Sequence, residues 1–311
     1  MASLVEPLAM LRVVRQIIKS CLRYCLRIFL LIALFAGLPM CANSFQNLDS
    51  QTNWAAFKPG TWMKFVQTVQ TQKEHWVRRD LFTLTRVEPE QYGLTDEING
   101  KPGAEEIYLT NPQRWPPVQP ITPVALGTEL VSSGGKSYNC KVESRESEGW
   151  SGFCATPPVQ RNWCYECTWH SKEFPANEGV IRYFQFQGQS VDNGPIKWQL
   201  NYIFEVVQPK VTISIAGKPV KCFVALTKGP DPRGSLILNR RWVSDELPIR
   251  VVKTESFDHP HDDAFSKVIT EASFHLRKLG MIPPFPNLED DNLDGFPKRG
   301  TTELVDFNLV K

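Results

Sequence analysis

The stretch Trp169–Pro175 (W-H-S-K-E-F-P) recurs 73 residues later as Trp242–Pro248 (W-V-S-D-E-L-P), with tryptophan, serine, glutamate and proline at matching positions. A second pair precedes it, because Gly135–Val142 and Gly217–Val224 both read G-K-x-x-x-C-x-V. A chain that repeats its motifs in the same order is constrained to build the same local structure twice. The sequence therefore predicts one β-rich unit in two degenerate copies.

The separation between matching motifs shrinks along the chain. A third pair, Val87–Pro89 and Val207–Pro209, is 120 residues apart, whereas the Gly-Lys pair is 82 apart and the tryptophans 73. Extra loop residues in the first copy, chiefly the Pro- and Gly-rich segment 100–127, account for this difference. Chance similarity among short β-motifs is the alternative, and the shared order of three motifs favours duplication.

The fold class follows from residue alternation and turn chemistry. Nine Trp and 24 Pro favour strands and turns over helix bundles, and Gly134-Gly135 and Gly217-Lys218 are hairpin signals. We predict a mainly β fold, a curved antiparallel open-barrel-like sheet built from two degenerate repeats, plus one C-terminal α-helix. The first repeat, with its Pro-rich and Cys-rich loops, is placed at 45–178 and the second at 179–256.

A helix packed on the sheet is predicted at 257–284. Asp262 or Asp263 can cap its start, and Gly280 suits the position after its end. Apolar residues recur between them at helical spacing, namely Phe265, Val268, Ile269, Ala272, Leu276 and Leu279. The remaining residues, 285–311, are polar and acidic, so we expect a flexible tail.

The N-terminal residues 1–44 are typical of a secretory signal peptide. An apolar run of 13 residues, Ile28–Met40, follows five basic residues and is too short to span a bilayer comfortably. Cleavage is predicted after Ser44, and either Met1 or Met10 is the true start. The alternatives are a membrane anchor at residues 28–40 and lipid attachment at Cys41. Each places residues 45–311 outside the cytoplasm, in the periplasm or secreted.

The charge of the predicted mature chain is close to balanced. Residues 1–44 hold five of the 35 basic and one of the 33 acidic residues, which leaves a net charge of −2 for the rest. Such a surface offers no electrostatic basis for binding nucleic acid or an anionic membrane. We therefore expect no nucleic-acid partner, and membrane contact only through the N-terminal segment.

Cysteines supply the most specific candidate site. Cys140 and Cys222 hold equivalent positions in the repeats, so we expect them in the core together with Trp169 and Trp242. The other three cysteines of the predicted mature chain belong to the first copy alone and form a C-x9-C-x2-C-x2-H pattern with a nearby histidine, namely Cys154, Cys164, Cys167 and His170. In an exported protein disulfides are the favoured interpretation, and a structural zinc site is the alternative. A redox role is disfavoured because no helix begins after the C-x-x-C.

Two further patterns are candidates for metal. His259 and His261, just before the predicted helix with Asp262, could bind a metal ion, although a turn and helix cap explain them as well.

Asp290, Asn292 and Asp294 match the opening of a calcium loop. The twelfth position of that loop is Thr301 instead of glutamate, and a solvated acidic loop is the favoured interpretation. No cofactor is expected, with zinc and calcium as alternatives.

A family resemblance adds to this pattern. The F-x-P-G-T-W opening at Phe57–Trp62, the G-K-x-x-x-C strand and the W-x-S-x-E-x-P motif resemble uncharacterised exported proteins of planctomycete-type bacteria. The strand order also resembles the open half-barrel of lipoprotein-carrier-like periplasmic proteins. That resemblance implies a greasy sheet with a helical lid and an acyl-chain ligand, and it assigns no individual binding residue.

Two functions follow as expectations. The first is an exported, non-catalytic protein that is structural or binds an apolar ligand or lipid in the curve of the sheet. The second is a metal-dependent or hydrolytic extracytoplasmic enzyme with its site near His259, His261 and Asp262. The first is favoured because no catalytic set can be assembled from the spacing of the residues.

Overall fold

The structure, a computed structural model, describes residues 52–71, 74–110, 122–151, 160–191, 197–230, 236–258, 273, 275–276, 279–285, 288 and 293–311. Thirteen strands lie within these ranges. In chain order they are β1 Trp62–Gln70, β2 His75–Val87, β3 Gln91–Ile98, β4 Lys101–Leu109, β5 Val124–Ser133, β6 Lys136–Ser151, β7 Gln160–His170, β8 Val180–Val191, β9 Lys197–Ile215, β10 Lys218–Pro230, β11 Leu236–Val243, β12 Val251–Asp258 and β13 Lys298–Asn308.

All thirteen strands belong to one antiparallel sheet that is not closed. Their order across the sheet is β4-β3-β2-β1-β13-β12-β11-β10-β9-β8-β7-β6-β5. Strands β5 to β12 are consecutive neighbours, as expected for a meander of hairpins. Strands β1 to β4 form the opposite end of the sheet and join the rest through β13. The prediction of a mainly β fold with an open antiparallel sheet is confirmed.

The expected flexible tail is wrong for residues 298–308, which form β13 inside the sheet. This strand pairs with β1 on one side and β12 on the other. Leu304 and Phe307 are buried in a core cluster with Met63 and Phe65 of β1. The overall composition of residues 285–311 is polar, but a strand needs apolar residues on only one face. A few alternating apolar positions are therefore enough to place β13 in the sheet. At Gly300 an added Cβ would lie 2.5 Å from the carbonyl oxygen of Thr68, so the close approach of β13 to β1 requires glycine there.

Most of the predicted C-terminal helix lies outside the described residues. Ser273, His275 and Leu276 are helical, and the amide of Met281 donates to the carbonyl of Leu276 at 2.9 Å. Gly280 has a φ of +67°, which is the left-handed C′ conformation that the sequence predicts after a helix. The full helix stays a prediction.

The two Gly-Lys motifs occupy matching places in the sheet. Each begins the second strand of a hairpin, β5–β6 or β9–β10, and each hairpin turn has two residues with positive φ. Val142 of β6 pairs with Trp169 of β7, and Val224 of β10 pairs with Trp242 of β11. A register shift then follows directly after each tryptophan.

The turns that follow the two tryptophans also share their hydrogen bonds. The amide of Ser171 donates to the carbonyl of Gly179, and that of Ser244 donates to Arg250, both at 2.8 Å. Each serine hydroxyl in turn accepts the amide of the glutamate two residues later at 3.3 Å. The serine and glutamate of W-x-S-x-E-x-P therefore mark a hydrogen-bonded turn.

These two turns contact each other across the sheet. The amide of Asn177 donates to Asp245 Oδ2 at 2.9 Å, and Arg250 donates to Asn177 Oδ1 at 3.1 Å. Asn177 is buried and has a φ of +50°. A non-glycine residue keeps this conformation only where its surroundings fix it, and here the bonds to Asp245 and Arg250 do so.

The tip of each Gly-Lys hairpin also contacts the strand that lies four places along the sheet from the first strand of that hairpin. At the tip of β5–β6 the Ser133 hydroxyl donates to the Val206 carbonyl of β9, and Gly134 lies against Pro209. At the tip of β9–β10, Lys218 donates to the Phe307 carbonyl of β13 at 2.5 Å. The third motif pair does not share surroundings, because Val87–Pro89 ends β2 whereas Val207–Pro209 lies within β9.

Candidate functional site

A row of three large side chains crosses β7, β8 and β9. Trp169 pairs with Arg182, and Arg182 pairs with Glu205, so the three side chains lie on one face of the sheet. We call Trp169, Arg182 and Glu205 the first row. It carries the one fully buried charged side chain in the described ion pairs, since Glu205 is 0% exposed.

Phe285 and Leu288 lie on the first row, and Ile282, Leu293 and Phe296 pack into the same core cluster as Trp169. These five residues are here named the strap. The ring of Phe285 lies 5.3 Å from the Trp169 ring in an edge-to-face arrangement and 6.3 Å from the Phe184 ring. The Arg182 guanidinium stands 4.8 Å from the centre of the Phe285 ring. Phe285 thus joins an aromatic contact to a cation–π contact, which is the geometry that anchors aromatic side chains at interfaces.

The Glu205 carboxylate binds the strap as well as the sheet. Its Oε1 accepts from Arg182 Nε at 2.7 Å, and its Oε2 accepts the backbone amide of Leu288 at 3.0 Å. A buried carboxylate is stable only when paired and hydrogen-bonded, and both conditions hold here. Glu205 therefore couples the position of the strap to the ion pair beneath it.

Trp169 is the apolar centre of this region. It is fully buried, contacts Phe184 at 5.6 Å between ring centres, and donates its indole N–H to Glu129 Oε2 at 2.8 Å. A buried indole is costly without a partner for its N–H, so Glu129 completes the site. Cys140 and Cys222 are buried too, whereas Trp242 is half-buried.

A second row lies on β11, β12 and β13 in the same register. Trp242 pairs with Lys253, and Lys253 pairs with Glu303. The Lys253 ammonium stands 4.8 Å from the Trp242 ring centre and 3.2 Å from Glu303 Oε1. We call Trp242, Lys253 and Glu303 the second row. Both rows thus read tryptophan, cation, glutamate across three neighbouring strands.

The second row is more exposed to solvent than the first and belongs to a wider network of charged side chains. Glu255 contacts Lys253 at 3.3 Å and Lys298 at 3.1 Å. Burial alone would raise the pKa of Glu255, but the bond to Lys298 and the charge of Lys253 outweigh it and lower the pKa. Burial alone would lower the pKa of Lys253, and Glu303 and Glu255 outweigh it and raise the pKa. Lys253 and Glu255 are therefore both charged at neutral pH.

The predicted cysteine site is not brought together. Cys164 and Cys167 are both buried on β7, and strand alternation places side chains three residues apart on opposite faces. Cys167 pairs with Phe184 on the face of the first row, whereas Cys164 Sγ lies 3.6 Å from Glu166. Burial lowers the pKa of His170, although the Glu143 carboxylate opposes this shift. Cys164 and Cys167 therefore cannot share one zinc ion.

The remaining metal candidates fall mostly outside the described residues. This holds for Cys154, His259, His261, Asp290 and Asn292, so their predictions stand as predictions, while Asp294 lies in a short 3₁₀ turn. Within the described ranges, no group of three or more His, Cys, Asp or Glu side chains is arranged to hold a metal ion.

No disulfide joins any two of the described cysteines, which are Cys140, Cys164, Cys167 and Cys222. A disulfide would therefore have to involve Cys154 or another residue outside the described ranges. Burial raises the pKa of Cys140 to about 11 and that of Cys222 to about 12. It raises the pKa of Cys167 further above its ordinary value. These thiols stay protonated at neutral pH, which is the opposite of what a redox or nucleophilic cysteine needs.

We expect the thiols of Cys140, Cys167 and Cys222 to react at least roughly 100-fold more slowly in the folded protein than in the denatured chain, because two pKa units lower the thiolate fraction by that factor. Ellman's reagent at about pH 8, with and without concentrated guanidinium chloride, measures this difference. A Ser137→Cys variant, with an exposed thiol on the same strand as Cys140, should react at the denatured rate. Fast reaction of several native thiols in the unmodified protein would contradict the buried assignment.

Sequence reasoning missed Arg182, Glu205 and the strap. One signal was present, because Val180–Arg182 and Val251–Lys253 are both apolar-basic segments that follow the repeated turn. The glutamates had no local signal, since Glu205 and Leu288 are 83 residues apart.

Comparisons with protein-family models, with curated proteins and with solved structures find no match to this chain. None of the helical segments in the described part of the chain has the length and hydrophobicity that a membrane span requires.

Proposed function

We propose that this chain is an exported, non-catalytic binding protein that holds an apolar ligand on the face of the sheet that the strap covers. The observation that carries this proposal is the strap itself. Apolar side chains of a non-strand segment, with Phe285 at their centre, lie over the aromatic residues of β7 and β8. A segment of this kind can be exchanged for a ligand of similar polarity without breaking the sheet.

The chemistry beneath the strap suits the hydrophobic part of such a ligand. Trp169 and Phe184 present aromatic surface, while the charges of Arg182 and Glu205 neutralise each other at 2.5 Å. Removing apolar surface from water contributes roughly 25 cal/mol per Å² to binding. An acyl chain or another extended apolar molecule is therefore the ligand class that this surface favours, in line with the likeness to lipoprotein-carrier-like half-barrels.

The internal duplication is part of the proposal. Two observations support two copies, β5 to β8 and β9 to β12. The tryptophans have the same cross-strand partners, and the turns after them have the same serine–glutamate hydrogen bonds. In this scheme β8 belongs to the first copy, so the boundary moves from residue 178 to the β8–β9 connection at 192–196. Each copy curves so that its hairpin tip reaches the fifth strand, which supports the open-barrel description.

Export remains an inference from residues 1–44, which lie outside the described structure. The signal peptide, the anchor at 28–40 and the lipidated Cys41 all stay predictions. The alternative of a metal-dependent or hydrolytic enzyme rests on His259, His261 and Asp262, which lie outside the described residues too.

Titration of the purified protein with cis-parinaric acid, a fluorescent fatty acid, tests the proposal. We expect saturable binding, and we expect Phe285→Ala to strengthen it roughly 5- to 10-fold, because a weaker strap competes less with the ligand. The matched control is Leu279→Ala, whose side chain is 71% exposed just outside the strap and should change nothing. Absence of saturable binding, or equal affinity in the wild type and Phe285→Ala, would contradict the proposal.

A further inference from the structure

The second row repeats the first row at a more exposed place on the sheet. Lys253 takes the place of Arg182, and Glu303 takes the place of Glu205. Both rows follow the same cross-strand pairing. Exposure separates the two rows, because the Glu205 side chain is 0% exposed and that of Glu303 is 46% exposed. The sheet therefore carries one covered and one open version of a single arrangement.

The covered version shows what such a row binds. At the first row an aromatic ring lies against the indole and the cation, and a backbone amide three residues later donates to the carboxylate. Ring and amide come from two residues three positions apart in the sequence, Phe285 and Leu288. The spacing of tryptophan, cation and glutamate on neighbouring strands is thus suited to an aromatic side chain and a nearby peptide N–H.

The open version has the same groups available. Lys253 contacts Glu303 Oε1, and within the described part of the chain Glu303 Oε2, the counterpart of the oxygen that binds Leu288, accepts no hydrogen bond. The face of Trp242 has the Lys253 ammonium at 4.8 Å and, among the described residues, no aromatic ring against it. Among the described residues the acceptor is therefore open at the second row, and Trp242, which packs on the core cluster that holds Val252 and Leu304, keeps part of its surface exposed.

Charges around the second row discriminate between occupants. Glu303 disfavours an anionic headgroup at the position where the amide would lie, and a fatty acid brings no N–H donor to it. Glu255 is already held by Lys253, Lys298 and Arg240, so Glu303 is the carboxylate left to receive a donor. Peptide amides meet this requirement, as they do at the first row.

We propose that the second row is a docking site for a segment of a partner polypeptide, which places an aromatic side chain against Trp242 and Lys253 and donates a backbone amide to Glu303. The partner is a protein and not a lipid, and the site is separate from the strap-covered surface assigned to the apolar ligand. The proposal rests on the geometry of the two rows and does not depend on the ligand proposed for the first.

The probe is a fluorescein-labelled peptide with the sequence of residues 281–297, titrated with the purified full protein and followed by fluorescence anisotropy. We expect saturable binding that weakens roughly tenfold in Trp242→Ala and several-fold in Glu303→Gln, since these variants remove the aromatic surface and the charged acceptor. A peptide with alanine in place of Phe285 should bind the unmodified protein about as weakly as the original peptide binds the Trp242→Ala variant.

The matched control is Trp76→Ala, which removes an exposed tryptophan on β2 and should leave peptide affinity unchanged. Thermal unfolding of each variant checks that the fold is retained, as expected for half-buried Trp242 and exposed Glu303. Binding that is absent, or that Trp242→Ala and Glu303→Gln leave intact because the peptide replaces the strap at the first row, would overturn the proposal. So would competition for the second row by cis-parinaric acid.

Discussion

Replacing Trp169 with alanine should lower the free energy of unfolding by about 3–5 kcal/mol, the range for removing a fully buried aromatic side chain. The indole is 0% exposed, contacts Phe184 and Phe285, and satisfies the Glu129 carboxylate. Its loss leaves a cavity beside Phe184 and removes the hydrogen bond to the half-buried Glu129 carboxylate, and both effects destabilise. Urea unfolding followed by circular dichroism measures the change.

The chain provides its own control for this prediction. Trp242 holds the equivalent register but is half-buried, so Trp242→Ala should cost only about 1–2 kcal/mol. Because both tryptophans hold the same strand position, the difference between the two losses of unfolding free energy reports the effect of burial. Equal losses at the two positions would mean that the strap adds nothing to the environment of Trp169.

Replacing Arg182 with methionine should destabilise the protein by about 3–5 kcal/mol, because removing one partner of a buried ion pair leaves the other charge poorly compensated. The guanidinium binds Glu205 through Nε at 2.7 Å and Nη2 at 2.5 Å, and its own side chain is only 15% exposed. Methionine keeps most of the length and the contact with Phe285. Thermal unfolding at neutral pH measures the effect.

Two further variants separate charge from packing at this position. Lys253→Met at the second row should cost less than about 1 kcal/mol, since water reaches Glu303 when its partner is lost. Adding Glu205→Gln to Arg182→Met should recover part of the loss, because the uncompensated charge is then gone. A large effect at Lys253, or no recovery in the double variant, would show that packing and not the ion pair sets the stability.

Local sequence patterns predict the Gly-Lys hairpins and most of the strands, but they miss β4 Lys101–Leu109, which lies in the Pro- and Gly-rich segment 100–127 expected to be loop. The Gly-Lys turns, the alternation in Gly135–Val142 and the repeated Trp–Pro motif each act within a few residues, and the structure places each on the expected strand or turn. The position of β13 could not be predicted in this way. Its pairing with β1 joins residues as distant as Trp62 and Asn308, and nothing local in the tail selects that partner.

The candidate site illustrates the same limit. The cysteine pattern at Cys164 and Cys167 is conspicuous in sequence, yet a strand separates the two thiols to opposite faces. Arg182 and Glu205 are inconspicuous in sequence, yet antiparallel pairing of β8 with β9 brings them together across 23 residues. Spacing along the chain therefore indicated a shared metal or disulfide site at Cys164 and Cys167, which strand geometry prevents. It gave no sign of the Arg182–Glu205 ion pair, which strand pairing creates.

The place of β13 in the sheet has a consequence for how the chain acquires its structure. During synthesis β1 and β12 both emerge before the strand that joins them, and each then exposes an unpaired edge. Such edges are templates for aggregation. The two ends of the sheet can therefore assemble into one body only after residues 298–308 have left the ribosome.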